Sequence, residues 1–378
     1  MNQLKTREEC KEIVNTSDAF YVTETEIQGF KAELYDYRLA SFTDFYPNGL
    51  TGSNNLELRG LTFIYNPDTD TWERHLALKK FFNLNQCPGV IYEDVIKEEI
   101  IGIADKRDGS MITFVKLPNS KVVAKTKMSF TSPQAIMAQK IYENDSNVKN
   151  FIDDNIDKYT LVFELTSPHN QIVLSYNNTE LYLLQMRDTN GFLTDIKNIA
   201  ESSFIDVTEQ YSLNDYDLDK LIDLKGKLEN IEGWVITTNS KQYKIKTDWY
   251  MQLHGLISEN IRENLLIKTI LDNNIDDVIA QLQDGEKKTF IINVEMEVSK
   301  KFNQLVKEFK ILRKKYSEEF KEDRKQFAIA NSKHVLFGNI MKSLNIKKNE
   351  EDLAEEQVKL HILNKTKNLK EAKEWLTS

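Results

Sequence analysis

Cysteine, proline and histidine are scarce in this chain. Only Cys10 and Cys87 carry thiols among 378 residues. That excludes a four-cysteine zinc site, and two thiols in so long a chain read as reduced and intracellular. The five histidines have no metal-ligand spacing. No apolar run approaches the length of a membrane span, so no membrane partner is expected. The first 16 residues are polar and lack the apolar core of an export signal. Neither an internal repeat nor a low-complexity linker is found. Helix breakers fade toward the C-terminus: the last proline is Pro168, and beyond Gly255 only Gly285 and Gly338 remain.

What is present is a globular balance, with 40% apolar and 29% charged residues. The length exceeds what one core usually serves, which predicts two domains. The net charge of −9 is unevenly spread, because Lys287 to Glu350 holds 16 basic and 8 acidic residues. An acidic chain with one basic block points to a local polyanion contact. Strand-like runs fill the first part: Leu56 to Tyr65, interrupted at Arg59-Gly60; Ile100 to Ile103; Met111 to Val115; Lys121 to Lys127; Thr160 to Thr166; Gln171 to Tyr176; and Leu181 to Met186. Ser132-Pro133 opens a helix, and Leu218 to Glu229 has helical spacing. Ile231 to Thr237 and Gln242 to Lys246 resemble a hairpin. Long charged-apolar stretches, notably Asn293 to Ala330, then predict a helical domain. The boundary is expected near Trp249 to Glu259.

Between two of the strands runs Asp105-Lys106-Arg107-Asp108-Gly109-Ser110. A charged link there must turn at a surface or a cleft, and its lysine could serve as a nucleophile. Alone, the motif reads better as an ordinary turn with a solvated lysine. Its companions need a common cause. Glu164 is a carboxylate inside an apolar strand, where charge is seldom buried unless paired. Glu232-Gly233 opens another strand. Lys244 and Lys246 lie two apart, so both face one way, as do Lys125 and Lys127. A nucleoside triphosphate with a divalent metal would unite them.

The ordered set Lys106 to Ser110, Phe163-Glu164, Ile231-Glu232-Gly233 and Lys244-Ile245-Lys246 resembles the motifs of covalent nucleotidyltransferases, the ATP-dependent ligases and mRNA capping enzymes. Leu58-Arg59-Gly60, Lys80 to Asn85, Asn170 to Leu174, Lys244 to Tyr250 and His334 to Gly338 resemble the bacteriophage RNA ligase 1 family, the tRNA-repair ligases. One step departs: a basic-Gly-Ser element reads Lys127-Met128-Ser129 here.

The resemblance implies an α+β fold. A nucleotidyltransferase domain with antiparallel sheets, an ATP-grasp-like ligase core, would span residues 1–250. An all-helical domain for RNA or tRNA recognition would span 251–378. It implies ATP as co-substrate, with Mg²⁺ or Mn²⁺. Lys106 would attack the α-phosphate and carry AMP. Free lysine titrates near 10.4, so neutralising it at pH 7 costs roughly 4.6 kcal/mol, which neighbouring cations reduce.

By resemblance, Tyr37, Arg59, Lys80, Phe82, Gly109, Lys127, Glu164, Glu232, Lys244 and Lys246 contact the nucleotide. Phe82 would stack on adenine, with core packing as the other reading. Gly109 would bring backbone close to the nucleotide. Glu232 and Asp276 would contact metal, although Asp276 also reads as an ordinary helix-start acid. Tyr250 matches a position needed for ligation or packs at the domain junction. Asp108 either orients the lysine or shapes the turn. The expected partners are RNA, a tRNA nicked in its anticodon loop, and a polynucleotide kinase-phosphatase that heals the ends, in the cytoplasm of an infected bacterial host. Two alternatives stand beside this reading. One is DNA ligation or capping, whose families append a small β-barrel. The other is a non-catalytic RNA-binding protein using the basic helices.

Overall fold

A computed structural model of the protein describes residues 4–169, 174–194, 196, 205–253, 262–281 and 285–377. The chain divides into two compact units, residues 1–15, 20–37 and 42–257 in the first, and 16–19, 38–41 and 258–378 in the second.

The described residues of the first unit form three sheets. One has β1 (Phe20–Ile27), β2 (Phe30–Tyr37), β3 (Leu61–Asn66) and β4 (Thr71–His75) in sequence order, all antiparallel. The others use β5 (Phe82–Asn83), β6 (Ile100–Asp105), β7 (Ser110–Lys116), β8 (Val122–Lys125), β9 (Tyr159–Thr166), β10 (Glu180–Asp188), β11 (Leu193–Thr194), β12 (Gly233–Thr238) and β13 (Gln242–Lys246). The second sheet runs β11-β10-β9-β7-β8, wholly antiparallel. The third runs β5-β13-β12-β6, where only β5 and β13 are parallel.

The strands arise where β-branched and aromatic residues cluster, and their alternation fixes which face is apolar. In the second sheet Ile112, Phe114, Leu161, Phe163 and Leu183 pack on the helices Pro133–Asn144 and Ser146–Asn155 through Ala138, Tyr142, Phe151 and Ile152. The first helix starts where Ser132 accepts a hydrogen bond from Ala135 N–H at 3.2 Å, with Pro133 in its first turn.

Several expected elements differ in extent. The run from Leu56 is a loop until Gly60, whose φ of +77° ends it, and β3 starts at Leu61. A Cβ on Gly60 would stand 3.1 Å from Lys127 Cα, so this glycine lets two backbone segments approach closely. Residues 171–173 of the Gln171 to Tyr176 run lie outside the described residues, and 174–176 are not a strand. The helix at Leu218 stops at Lys225, before Gly226.

The second unit is helical throughout its described part. No strand follows β13 among the described residues, so the β-barrel appended in DNA ligases and capping enzymes has no counterpart there. Its central helix is Glu286–Glu318. The helical stretch read from Asn293 to Ala330 is divided: the long helix ends at Glu318, the chain turns through Lys321 and Glu322, both with positive φ, and the helix Arg324–Asn331 follows. Val298, Phe302, Val306 and Phe309 on the long helix are buried, as are Leu353, Val358 and Ile362 on the helix Glu350–Lys365. No described helix is long and apolar enough to cross a membrane, and no disulfide joins the buried Cys10 and Cys87.

Candidate active site

Lys106 sits where the chain leaves the third sheet for the second. The motif therefore joins two sheets; it is not a hairpin turn within one. Its N–H donates to Gly233 O at 2.9 Å, which pins it beside Glu232. The Lys106 ammonium meets Glu232 Oε1 at 2.7 Å, and Lys246 Nζ meets the same oxygen at 3.3 Å. Thr247 N–H donates to Glu232 O at 2.9 Å, and Thr247 Oγ1 donates to Ile231 O at 2.8 Å, so this carboxylate is held from its backbone. Glu232 is only 3% exposed. Its Oε2 has no hydrogen-bond partner among the described residues, a costly state for a buried oxygen.

Register places the other groups. Lys244 stands opposite Val235, which stands opposite Ala104, so the three share one face of the third sheet with Lys246 and Gly233. On the second sheet Glu164 stands between Met111 and Tyr182. Burial pushes Glu164 up to about 8, against the pull of Lys106 and Arg59 and helped by the charges of Glu232 and Asp108. Arg59 Nη1 donates to Leu78 O at 3.2 Å and lies 3.6 Å from Met111 Sδ. Between the sheets lies a cavity of about 290 Å³, walled by Ala104 and Val235 on one side and Leu78, Phe81 and Leu184 on the other, with Asp105 at its edge.

Glu164 makes a pH prediction. Its raised value means that the folded state keeps a proton which the unfolded chain loses above about 4.5. Its contribution is therefore full below 4.5 and is lost as pH rises toward 8. Glu164→Gln is expected to flatten the fall in stability over that window, by at most about 1.4 kcal/mol per pH unit. Urea midpoints at pH 5.5 and 7.5 check this, and identical slopes in both proteins would refute it.

Tyr37, Lys80, Phe82 and Lys127 form a second cluster. Lys80 Nζ stands 5.5 Å from the Tyr37 ring centroid and 5.2 Å from that of Phe82; Lys127 Nζ stands 5.5 Å from Tyr37. Lys127 pairs with Asp36 at 2.9 Å. Burial disfavours its charge, but the Asp36 carboxylate outweighs this and raises it.

Three expectations need correction. Phe82 is 4% exposed and packs on Phe42, Phe45 and Tyr46. Its faces are covered, so it is the core member of the pair, and Phe81 lines the cavity. Gly109 does not have positive φ; a Cβ there would lie 2.4 Å from Leu165 O, so its close approach is to β9. β8 ends at Lys125, so the strand alternation expected to put Lys125 and Lys127 on one face does not reach Lys127; Lys125 is buried, while the Lys127 side chain is 41% exposed.

The roles left open for Asp108 and Tyr250 acquire geometry. Asp108 is buried, accepting from Tyr250 OH at 3.0 Å and from Leu174 N–H at 2.8 Å. Its own N–H donates to Tyr176 OH at 3.2 Å. Asp108 thus ties the motif to two other segments, as a turn-shaping group would. Lys246 Nζ lies 5.0 Å over the Tyr250 ring. Asp276 lies in the second unit, in the first turn of the helix Ile275–Gln281, and is not among the groups that the first unit gathers.

Two buried cations escaped the sequence reading. Lys125 Nζ donates to Gly60 O at 2.9 Å and Lys127 O at 3.3 Å, bracing the Arg59 loop against Lys127; burial lowers it to about 7. The alternating lysines were the only signal. Arg187 is 1% exposed and holds Glu57 by two hydrogen bonds, at 2.5 and 3.0 Å, as well as Ala77 O. Nothing local marks a pair 130 residues apart.

The RNA ligase family model matches residues 57–250, more than half of the chain. A Thermovibrio ammonificans protein, provisionally named an RNA ligase, is 26% identical over 302 residues, covering 72% of this chain and 77% of its own. An archaeal ATP-dependent RNA ligase structure (form 2) is similar at 12% identity and a TM-score of 0.49, over 82% of this chain and 79% of that one. A Naegleria gruberi RNA ligase variant solved with ATP and Mn gives 12% identity and a TM-score of 0.36, over 67% of this chain and 85% of that one. With more than half of its length matched by the family model, this chain belongs to the RNA ligase family.

Proposed function

We propose that this RNA ligase works through covalent nucleotidyl transfer from ATP at Lys106. The observation that carries the reading is the convergence of Lys106 and Lys246 on one buried oxygen of Glu232, next to an apolar slot between two sheets. The purine enters that slot, with Phe81 offering its ring and Ala104 and Val235 the opposite wall. The neutral Lys106 amine attacks the α-phosphorus. A nitrogen–phosphorus bond forms, the bond to the bridging oxygen breaks, pyrophosphate leaves with its electrons, and the nitrogen gives up one proton to solvent. AMP then passes to an RNA 5′-phosphate, which regenerates the amine. A 3′-oxygen finally bonds to that phosphorus, losing its proton as AMP leaves. Arg59, Lys127, Lys244 and Lys246 supply cations for the charge that develops on phosphate, and Arg59 suits bidentate contact.

A divalent cation, Mg²⁺ or Mn²⁺, fits the donor set. Among the described residues no cluster of three or more His, Cys, Asp or Glu could cage a metal. The unpartnered Glu232 Oε2 suits a hydrated ion held mainly by phosphates, with Glu232 as its protein anchor. Bound there, the ion would add positive charge at the reacting phosphate. Glu232→Gln is expected to raise the metal concentration needed for half-maximal AMP transfer by about tenfold. An unchanged metal dependence would reject the anchor.

The RNA in this proposal is a tRNA nicked in its anticodon loop, healed by a polynucleotide kinase-phosphatase, in the cytoplasm of an infected bacterial host. The motif resemblance and the second unit support it. There Arg313 and Lys301 donate to backbone carbonyls, Lys310 pairs with Glu351 and Lys314 with Glu318, but Lys315, Lys321 and Lys325 are exposed and available to phosphate. The deciding experiment is transfer of α-labelled AMP from ATP to the protein, then sealing of the nicked tRNA and of a DNA equivalent. Absence of a protein adduct would end the reading, and equal sealing of DNA would overturn the RNA assignment.

A further inference from the structure

Lys106 also borders a cavity of about 480 Å³ lined by Arg107, Tyr176, Glu209, Tyr211 and Trp249. Unlike the apolar slot, it combines aromatic rings with charge of both signs. Tyr176, Tyr211 and Trp249 are each half-buried, so their rings are partly presented and partly held. Tyr176 is fixed through its hydroxyl, which accepts from Asp108 N–H. Tyr211 meets the Tyr216 ring edge-on at 4.9 Å between centroids. Arg107 is already engaged, lying 4.4 Å over the Tyr182 ring and 3.0 Å from Asp105. Aromatic platforms that accept any base are how single-stranded nucleic acid is held.

The acidic groups decide which end of an RNA fits. Asp105 and Glu209 both line the cavity. Carboxylates repel a phosphate but accept hydrogen bonds from hydroxyls. A ligase must hold a 5′-phosphate end and a 3′-hydroxyl end, and only the second is a neutral diol. From this we infer that the cavity is the subsite for the 3′-terminal nucleoside of the acceptor RNA, its base against Tyr211 and Trp249 and its hydroxyls toward Asp105 and Glu209. The inference rests on the proposed transfer at Lys106 and adds to it the location of the second substrate end.

The test measures sealing of a purified 5′-adenylylated RNA to a separate acceptor oligonucleotide, in wild type, Tyr211→Leu and Trp249→Leu. Adduct formation with labelled ATP in the same preparations reports on the Lys106 site. Each variant should raise KM for the acceptor by about tenfold, the loss expected for one stacked base, beyond any change in adduct formation. An acceptor ending in a 2′,3′-dideoxynucleoside should compete with the normal acceptor more weakly than one bearing the diol. Unchanged acceptor KM in both variants would overturn the subsite. So would proportional loss of adduct formation and sealing, which marks a structural role. A wild-type protein that forms no adduct yet seals adenylylated RNA would sink the Lys106 reading and leave the subsite standing.

Discussion

Lys106→Ala is expected to lower AMP transfer to the protein by at least about four orders of magnitude, the scale seen when a nucleophile is removed. Among the described residues no other amine stands in the same place. Lys246 Nζ is the nearest by contact, but it reaches Glu232 from β13, and the Lys106 backbone alone is pinned to Gly233 O at the joint between the sheets. Lys106→Arg should fail as completely, since guanidinium keeps its proton. The fold should survive both changes. The Lys106 side chain is 21% exposed, and Glu232 retains Lys246 when Lys106 is gone. Sealing of pre-adenylylated RNA supplies the control, because that step does not use the lysine as nucleophile. A variant that loses both activities has lost its structure, and one that keeps adduct formation moves the nucleophile elsewhere.

The legible part of this site was local. The charged link between two apolar runs, the carboxylate inside Leu161-Val162-Phe163-Glu164, and the same-face pair Lys244 and Lys246 are patterns of period two and of polarity, which a strand imposes directly. Sheet membership was not legible. Nothing in the residues around Lys106 says that β6 and β7 pair in different sheets, although this puts the lysine at a joint. Phe81 and Phe82 are chemically identical neighbours, and only the packing of Phe42, Phe45 and Tyr46 separates core from cavity wall. Gly109 was read as serving a ligand because a missing side chain does not name what fills its place; here it is Leu165 O. Likewise Lys125 and Lys127 read as a same-face pair because the strand-like run extends to Lys127, whereas β8 ends at Lys125.

Arg187→Met is expected to destabilise the protein by about 3–5 kcal/mol, the loss found when one partner of a buried ion pair is removed. Arg187 is 1% exposed and every nitrogen of its fork is used: Nη1 and Nη2 on Glu57, Nη1 also on Ala77 O, and Nε on Gly191 O at 3.2 Å. Methionine keeps most of the length but leaves the Glu57 carboxylate buried without its counter-charge. Glu57→Gln in the same chain should recover part of the loss, so that the double variant is more stable than the sum of the two singles requires. Thermal and urea midpoints measure this, and strict additivity or an unshifted midpoint would refute it. The pair also bears on the reaction. Glu57 is two residues from Arg59, and Ala77 three from Lys80, so Arg187 clamps together the loops that carry Arg59 and Lys80, two of the cations that the motif resemblance places on the nucleotide. At temperatures where Arg187→Met is still folded, KM for ATP in adduct formation should therefore rise. The Glu57→Gln/Arg187→Met protein should recover stability without recovering KM, because the clamp between the two loops is gone in both.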